Sequence, residues 1–255
     1  MRFLIVVSRM SAAALLAAVG IGLLASLGTR FGLWNWHFGL LRLFPWCLYI
    51  GVLALALALI WALTAFFSNN GSGARFGAVA LIGSLVLVSP LAYDKAYDWQ
   101  DPPIHDVSTD TEHAPEFVAL LADRAGAENG PDYDGPKKVY FLGKWQTVSA
   151  LQHKYYGYLR PIALITPPER LFRRAVAAAY GMGWRIVSIV PDAGRIEATD
   201  TSLFFGFTDD IVIRVRPAGM GARLDIRSKS RELQNDRGDN AHRIRAFAKL
   251  LASSG

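Results

Sequence analysis

The chain has 255 residues, 52% of them apolar, with 27 Lys and Arg against 21 Asp and Glu and a formal net charge of +6. That apolar share exceeds what an ordinary soluble domain carries and points to membrane segments beside one sizeable core. The single cysteine, Cys47, excludes an intrachain disulfide.

The charge is unevenly placed: residues 1–99 hold 6 basic and 2 acidic groups, and the remainder is nearly balanced at 21 and 19. The excess therefore flanks apolar stretches, as topology signals do, and gives no support for nucleic-acid binding.

From Met10 to Gly28 runs an uncharged stretch long enough, at about 1.5 Å per residue, to cross a hydrocarbon core of about 30 Å. It is expected to stay as a helix, because two further spans follow it. Residues 29–44 (TRFGLWNWHFGLLRLF) are too polar to span and rich in aromatics, which predicts an interfacial segment along the membrane surface, with His37 as one of its side chains. Spans two and three are expected at 46–67 and 76–93, joined by the polar turn SNNGSGAR. Trp34, Trp36, Trp46, Trp61, Tyr93, Tyr97 and Trp99 gather at the expected edges, where amphipathic rings meet headgroups. Gly20, Gly22 and Gly83 permit close helix packing. No charge falls inside a span, which argues against a transporter or proton pump. Arg2, Arg9 and Arg75 would lie on one side and Arg30, Arg42 and Lys95 on the other, so charge leaves the orientation open.

Residues 101–134 form an acidic arm with nine carboxylates and one base, Arg124, whereas residues 135–255 carry 20 basic and 10 acidic groups. Within the arm, 115–124 reads as a short helix and 125–136 as a loop. Thr166 and Glu169 have the spacing of a capping box that opens a helix to about Tyr180. Four strands follow, at 184–190, 195–201, 211–216 and 222–229, and then a helix over 239–251. The expected fold is α+β: a three-helix transmembrane part, then an antiparallel four-stranded sheet with helices packed on one face. Period-two alternation puts Ile186, Ile196, Ala198, Ile211, Ile213, Val215, Leu224 and Ile226 on one side. Glu197, Thr199, Arg214, Arg216, Asp225, Arg227 and Lys229 fall on the other, and the tethered acidic arm is the first candidate to cover that charged face.

Three ordered blocks stand out: PPIHDVSTD at 102–110, GRIEAT at 194–199 continuing to FTDDIVIR at 207–214, and LDIRSKSR at 224–231 with NAHRI at 240–244. Together they resemble the domain-of-unknown-function family 1499 over essentially all of residues 101–252. The chain departs from that pattern at residues 232–235 (ELQN), where a small, glycine-bearing stretch is expected. The resemblance implies an exported domain, since similar chains often carry signal or lipoprotein leaders. It therefore favours a multi-pass protein of the bacterial inner membrane with a periplasmic C-terminal domain. It implies no reaction.

Among residues that could carry chemistry, His105, Asp106, Asp110 and His113 are metal-ligand types close in sequence, though their spacing matches no standard metal motif. Glu197, Asp200, Asp209 and Asp210 could supply paired carboxylates. Ser228 and Ser230 lack a nucleophile elbow, and no phosphate-loop or dinucleotide fingerprint is present, so no cofactor is expected. The leading expectation is a non-catalytic envelope protein that binds an anionic small molecule, a lipid headgroup or a partner protein. Arg214, Arg227, Arg231 and Arg243, with Glu197 and Asp200, are its expected ligand-side residues. The alternatives are a metal-dependent or acid/base enzyme built on the 105–113 cluster, and an envelope assembly scaffold.

Overall fold

The computed structural model describes residues 2–97 and 101–253; the side chains of residues 90–97, and with them the expected edge aromatics Tyr93, Tyr97 and Trp99, lie outside the described residues. The chain divides into two units, residues 1–98 with 202–206, and residues 99–201 with 207–255.

The first unit contains α1 (Arg2–Arg30), α2 (Phe44–Phe67) and α3 (Ala74–Tyr97). Its helices meet through small residues: Ala18, Ala25, Ala54, Ala58 and Ala80 are fully buried, and the Ser11 hydroxyl donates to the Ala54 carbonyl at 2.8 Å. A Cβ on Gly22 would lie 2.9 Å from Cys47 Sγ, and one on Gly83 would lie 2.5 Å from a Leu15 methyl, whereas Gly20 has nothing within 4 Å. Gly22 and Gly83 thus permit close helix approach and Gly20 does not. Leu16, Phe66, Phe67 and Val86 point outward.

Two stretches, Arg2–Arg30 and His37–Phe67, are long and apolar enough to cross a membrane, and a third apolar stretch, Ala74–Ser89, is shorter. The separate interfacial segment expected at 29–44 is not a single element. Thr29 and Arg30 finish α1, and His37–Leu43 forms a π-helical turn whose backbone runs on into α2, the Phe44 N–H bonding to the Gly39 carbonyl. Continuing the helix satisfies backbone groups that a flat segment would leave to water. Here His37 stacks on Trp36, with centroids 3.7 Å apart.

In the second unit the order is β1 (Asp106–Ser108), β2 (Lys138–Phe141), β3 (Lys144–Thr147), α4 (Val148–Tyr155), β4 (Ile162–Leu164), α5 (Pro168–Gly181), β5 (Arg185–Val190), β6 (Arg195–Thr201), β7 (Thr208–Ala218), β8 (Gly221–Ser230) and α6 (Asp239–Ser253). Strands β5 to β8 form the expected antiparallel meander. The sheet is larger than expected, because β1 and β4 both pair with β8, one beside Arg227–Lys229 and the other beside Ala222–Leu224. At three residues each, these two strands are too short to show alternation in sequence. A separate hairpin, β2–β3, adds a second sheet.

The apolar face matches the period-two reading. Ile196, Ala198, Ile211, Ile213, Val215, Leu224 and Ile226 share a core with Leu171, Phe172 and Ala175 of α5 and Ile244, Phe247 and Leu251 of α6. Trp184 stacks on Phe247 at 5.5 Å. Two local expectations fail. Residues 115–124 form only a 3-10 turn, Ala119–Leu121. The α5 N-cap is Pro167, without a side-chain bond, because Thr166 sits one position too early for a capping box.

Gly194, at φ 58°, closes the turn from β5 to β6. A Cβ there would come within 2.0 Å of the Val215 carbonyl oxygen, so glycine is required. Leu233, at φ 61°, holds a left-handed backbone inside the 232–235 stretch. The β2–β3 turn is formed by Leu142 and Gly143 at φ 48° and 79°, a two-residue turn in which asparagine or glycine is favoured and leucine costs roughly 1–2 kcal/mol. Leu142→Asn is therefore expected to slow amide hydrogen exchange across residues 138–147; unchanged or faster exchange would show that the turn is not strained.

Candidate functional site

The sheet face opposite the helices carries Glu197, Asp210, Arg214, Asp225, Arg227 and Lys229 by alternation, yet Glu197, Asp210, Asp225, Arg227 and Lys229 are all buried. What buries them is the acidic arm, which folds over the face and meets it group by group. Charge alone called for a carboxylate layer against the basic strands, and the register of β1 on β8 sets Asp106 opposite Lys229 and Ser108 opposite Arg227.

Asp106 accepts two parallel bonds from Arg227, Nε to Oδ1 and Nη2 to Oδ2, both 2.8 Å. This bidentate geometry is the strong form of an Arg–carboxylate contact. Arg227 further donates to the Pro115, Pro131 and Asp132 carbonyls, and its guanidinium lies 4.8 Å from the Phe117 ring and 5.2 Å from Tyr133. Lys229 Nζ lies 2.9 Å from Asp134 and 3.4 Å from Asp106. His105 Nε2 lies 2.9 Å from Asp134, with Nδ1 3.2 Å from the Gln234 carbonyl. Burial alone would raise the Asp134 carboxyl, but His105 and Lys229 hold it well below the usual range. Burial raises the Tyr133 phenol, and Asp106 adds to the effect.

A second group reverses the signs, with the arm supplying the base. Arg124, fully buried, bonds Asp210 at 2.6 Å, and Arg231 bonds the same carboxylate through Nε and Nη2 at 2.8 and 2.9 Å. Burial pulls the Arg124 guanidinium below its ordinary value, and Asp210 opposes that pull. Glu197 points into the open end of the 3-10 turn. It accepts from the backbone N–H groups of Val118, Ala119 and Leu120 at 3.0–3.1 Å and pairs with Arg195 at 3.0 Å.

The third group is unbalanced. Arg214, Arg216 and Arg223 converge on two carboxylates, Asp110 and Asp225, at 2.7–3.3 Å. The arginine side chains are 26–40% exposed while Asp225 is fully buried. Burial works against the charged form of Asp110, but the His113 backbone N–H and Arg223 hold its carboxyl below the usual range. Beside this group a cleft of about 700 Å³ opens between arm and sheet, walled by Arg195, Arg214 and Arg227, by Phe117 and Tyr133, and by the carboxylates of Glu112, Glu116 and Asp132.

The six expected ligand-side residues do not share one place. Arg214 fronts the cleft, Arg227 is sealed beneath it, Arg231 is committed to Asp210, and Glu197 holds the turn. Arg243 lies on the helix side with Asp200 and Asp209, at 2.9 and 2.6 Å, and also donates to Asn240. The expected metal-ligand residues are likewise dispersed: His105 faces Asp134, Asp106 faces Arg227, Asp110 faces three arginines, and His113 lies exposed on the cleft rim. Among the described residues no group of three or more His, Cys, Asp or Glu side chains converges. Sequence reasoning missed Arg124, Asp134, Arg195 and Arg223. The signal for Arg124 was available, since it is the single base in an otherwise acidic segment.

The domain is thus a mixed helix and antiparallel-sheet fold with an apolar core on one side of the sheet and an ion-paired layer on the other. The chain belongs to the family described as a protein of unknown function (DUF1499), whose profile matches residues 106–251. No curated protein matches the chain. Among solved structures, it is similar to protein CV1439 of Chromobacterium violaceum at 19% identity and a TM-score of 0.28, over 37% of this chain and 92% of that one. It is also similar to TTHA0849 of Thermus thermophilus, at 11% identity and a TM-score of 0.24, over 37% of this chain and 96% of that one.

Two tests follow from the layer. Asp106→Asn leaves Arg227 buried without its carboxylate, while Lys229 keeps Asp134, and is expected to cost about 3–5 kcal/mol in chemical denaturation of the full chain in micelles. A cost under about 1 kcal/mol, the range of an exposed pair, would show that the pair is not desolvated. Asp110 and Asp134 have carboxyls held below the ordinary value, so their stabilisation is present above about pH 4 and is lost as pH falls through their folded values. Rate-corrected exchange at the Glu112 and His113 amides, which donate to the Asp110 carboxylate, should stay level from neutral pH down to about pH 5 and rise below about pH 4. Asp236, pushed up to about 6 by burial against its bonds from Gly238 and Asn240, carries the opposite sign: its contribution is present at low pH and fades as pH rises through 6.

Proposed function

We propose that this protein is a membrane-tethered, non-catalytic receptor for an anionic group, with Arg214, Arg216 and Arg223 as its binding residues and Arg195 on the adjoining cleft wall. One observation carries the reading: three partly exposed guanidiniums share two carboxylates, one charge short of their own pairing, and one of the three, Arg214, lines an open cleft. Guanidiniums match the planar oxygens of phosphate and carboxylate in pairs. The charge is held in place by burial of Asp225 and by the arm, so little reorganisation is needed on binding.

The test is calorimetric titration of the full chain in nonionic micelles with inorganic phosphate and with glycerophosphate, a soluble stand-in for a lipid headgroup. Binding that weakens about tenfold in Arg214→Gln and again in Arg216→Gln fits the loss of one charge-assisted bond at a time. Absence of heat with both anions removes the proposal.

For its setting we infer a multi-pass protein of the bacterial inner membrane with the domain on the periplasmic side. The length and apolar character of Arg2–Arg30 and His37–Phe67 support membrane insertion, and the export implied by the family resemblance supports the side. Alkaline phosphatase fused after Gly255 is expected to be active, and a green fluorescent protein at the same place dark. The reverse pattern would put the domain in the cytoplasm while leaving the spans untouched.

A further inference from the structure

The β2–β3 hairpin is an unusual surface. Its inner side, Val139 and Phe141, packs against the apolar core, and Phe141 meets Tyr155 at 5.7 Å. Its outer side and tip carry Tyr140, Leu142 and Trp145, which are 59%, 57% and 69% exposed. Tyr140 stands opposite Trp145 in the pairing register, with ring centroids 5.6 Å apart. Lys138 shares the face of Tyr140, Lys144 pairs with Phe141 next to the tip, and both lysines are exposed. Residues 137–160 contain Lys137, Lys138, Lys144, Lys154 and Arg160 and not one acidic residue, in a domain whose charge is otherwise nearly balanced.

The tip adds an independent observation. Leu142 occupies a left-handed backbone position at φ 48°, where asparagine or glycine would relieve the turn. A strained backbone held at an exposed apolar tip is a reason to look for a use, since neither packing nor turn chemistry calls for leucine there.

We propose that this hairpin is a membrane-docking finger that seats Leu142 and the Tyr140–Trp145 pair at the headgroup level of an anionic bilayer, with Lys138 and Lys144 against lipid phosphates. Three features fit that occupant. Tyr and Trp are the side chains that settle at a membrane–water interface, apolar body inward and polar tip outward. Lysines near an anionic surface add attraction that falls off within a Debye length. The uniform positive sign of residues 137–160 is complementary to such a surface. The proposal rests on the membrane reading of the N-terminal helices, which tether the domain to a bilayer and so raise the local concentration of lipid around the finger. It shares no residue with the arginine cluster or the cleft.

The test uses the full chain with Cys47→Ala and Leu142→Cys, so that one nitroxide sits at the tip. The labelled protein is placed in nanodiscs of phosphatidylcholine alone, or of phosphatidylcholine with about one third phosphatidylglycerol, the anionic fraction needed for a substantial surface potential. In the anionic discs the label is expected to lose most of its relaxation by a water-soluble nickel chelate and to gain relaxation by oxygen, while in the neutral discs it remains open to the chelate. Equal access in the two bilayers, whether high or low, overturns the proposal. Shielding that appears in micelles and grows with protein concentration also overturns it and assigns the surface to a second copy of the chain. Should the labelled variant misfold, Lys138→Gln/Lys144→Gln in the otherwise native chain is read by hydrogen exchange over residues 138–147 in the same discs. The protection gained in anionic over neutral discs by the native chain must then vanish, and its persistence sinks the idea. Failure of the chain to incorporate into any disc would count against the membrane reading itself, a different result from a finger that stays in water.

Discussion

The buried pair between Asp106 and Arg227 is the contact on which the rest of the domain depends. Its partners are 121 positions apart in sequence, and each is a charge that could not be buried without the other. The attraction brings the arm onto the sheet, and once there the arm supplies carbonyls from Pro115, Pro131 and Asp132 that complete the shell around the guanidinium. A segment that by composition resembles a flexible acidic linker is therefore the second layer of the fold. Because the ions are sealed from solvent, salt screens them far less than it would a surface pair, so ionic strength alone is a weak way to detach the arm.

Within that layer the signs are ordered. Asp210 lies between Arg124 and Arg231, Asp134 is shared by His105 and Lys229, and the Phe117 ring is close to both Arg124 and Arg227, at 5.0 and 4.8 Å. The aromatic ring offers each guanidinium a cation–π contact. Under the arm Arg231 also reaches Asp123, at 3.5 Å, so the pairing there is close to even, whereas at its margin Arg214, Arg216 and Arg223 outnumber Asp110 and Asp225. That gradient, from neutral interior to positive edge, concentrates the surplus charge where a solute can reach it.

Much of this was readable from sequence, and the rest failed for identifiable reasons. Alternation along β6, β7 and β8 gave the faces correctly because those strands are long and one side is apolar throughout. The charged side was harder, since Arg227 and Arg216 look alike in sequence although one is sealed and the other exposed; only the path of the arm distinguishes them. Strands β1 and β4 escaped notice because three residues cannot display a period. The capping box at Thr166 failed on local grounds, because a proline occupies the cap, and of the helix expected at 115–124 only the 3-10 turn Ala119–Leu121 forms. For the first unit, hydropathy located the helices well, and the aromatic run at 37–43 forms a π-helical turn that runs on into α2.

The alternation of charged and apolar residues along β8 also fixes how the strands align. Sliding β8 past β7 by a single position would carry Asp225, Arg227 and Lys229 into the space now filled by Leu224 and Ile226, and would bring those apolar side chains out beneath the arm. Each misaligned charge would enter hydrocarbon without a counterion, a penalty far above that of losing a few apolar contacts. The ionic layer consequently acts as a ruler for the sheet. It leaves one pairing tolerable among those an apolar sandwich might accept, and it does so even where a given pair adds little to the overall free energy of folding.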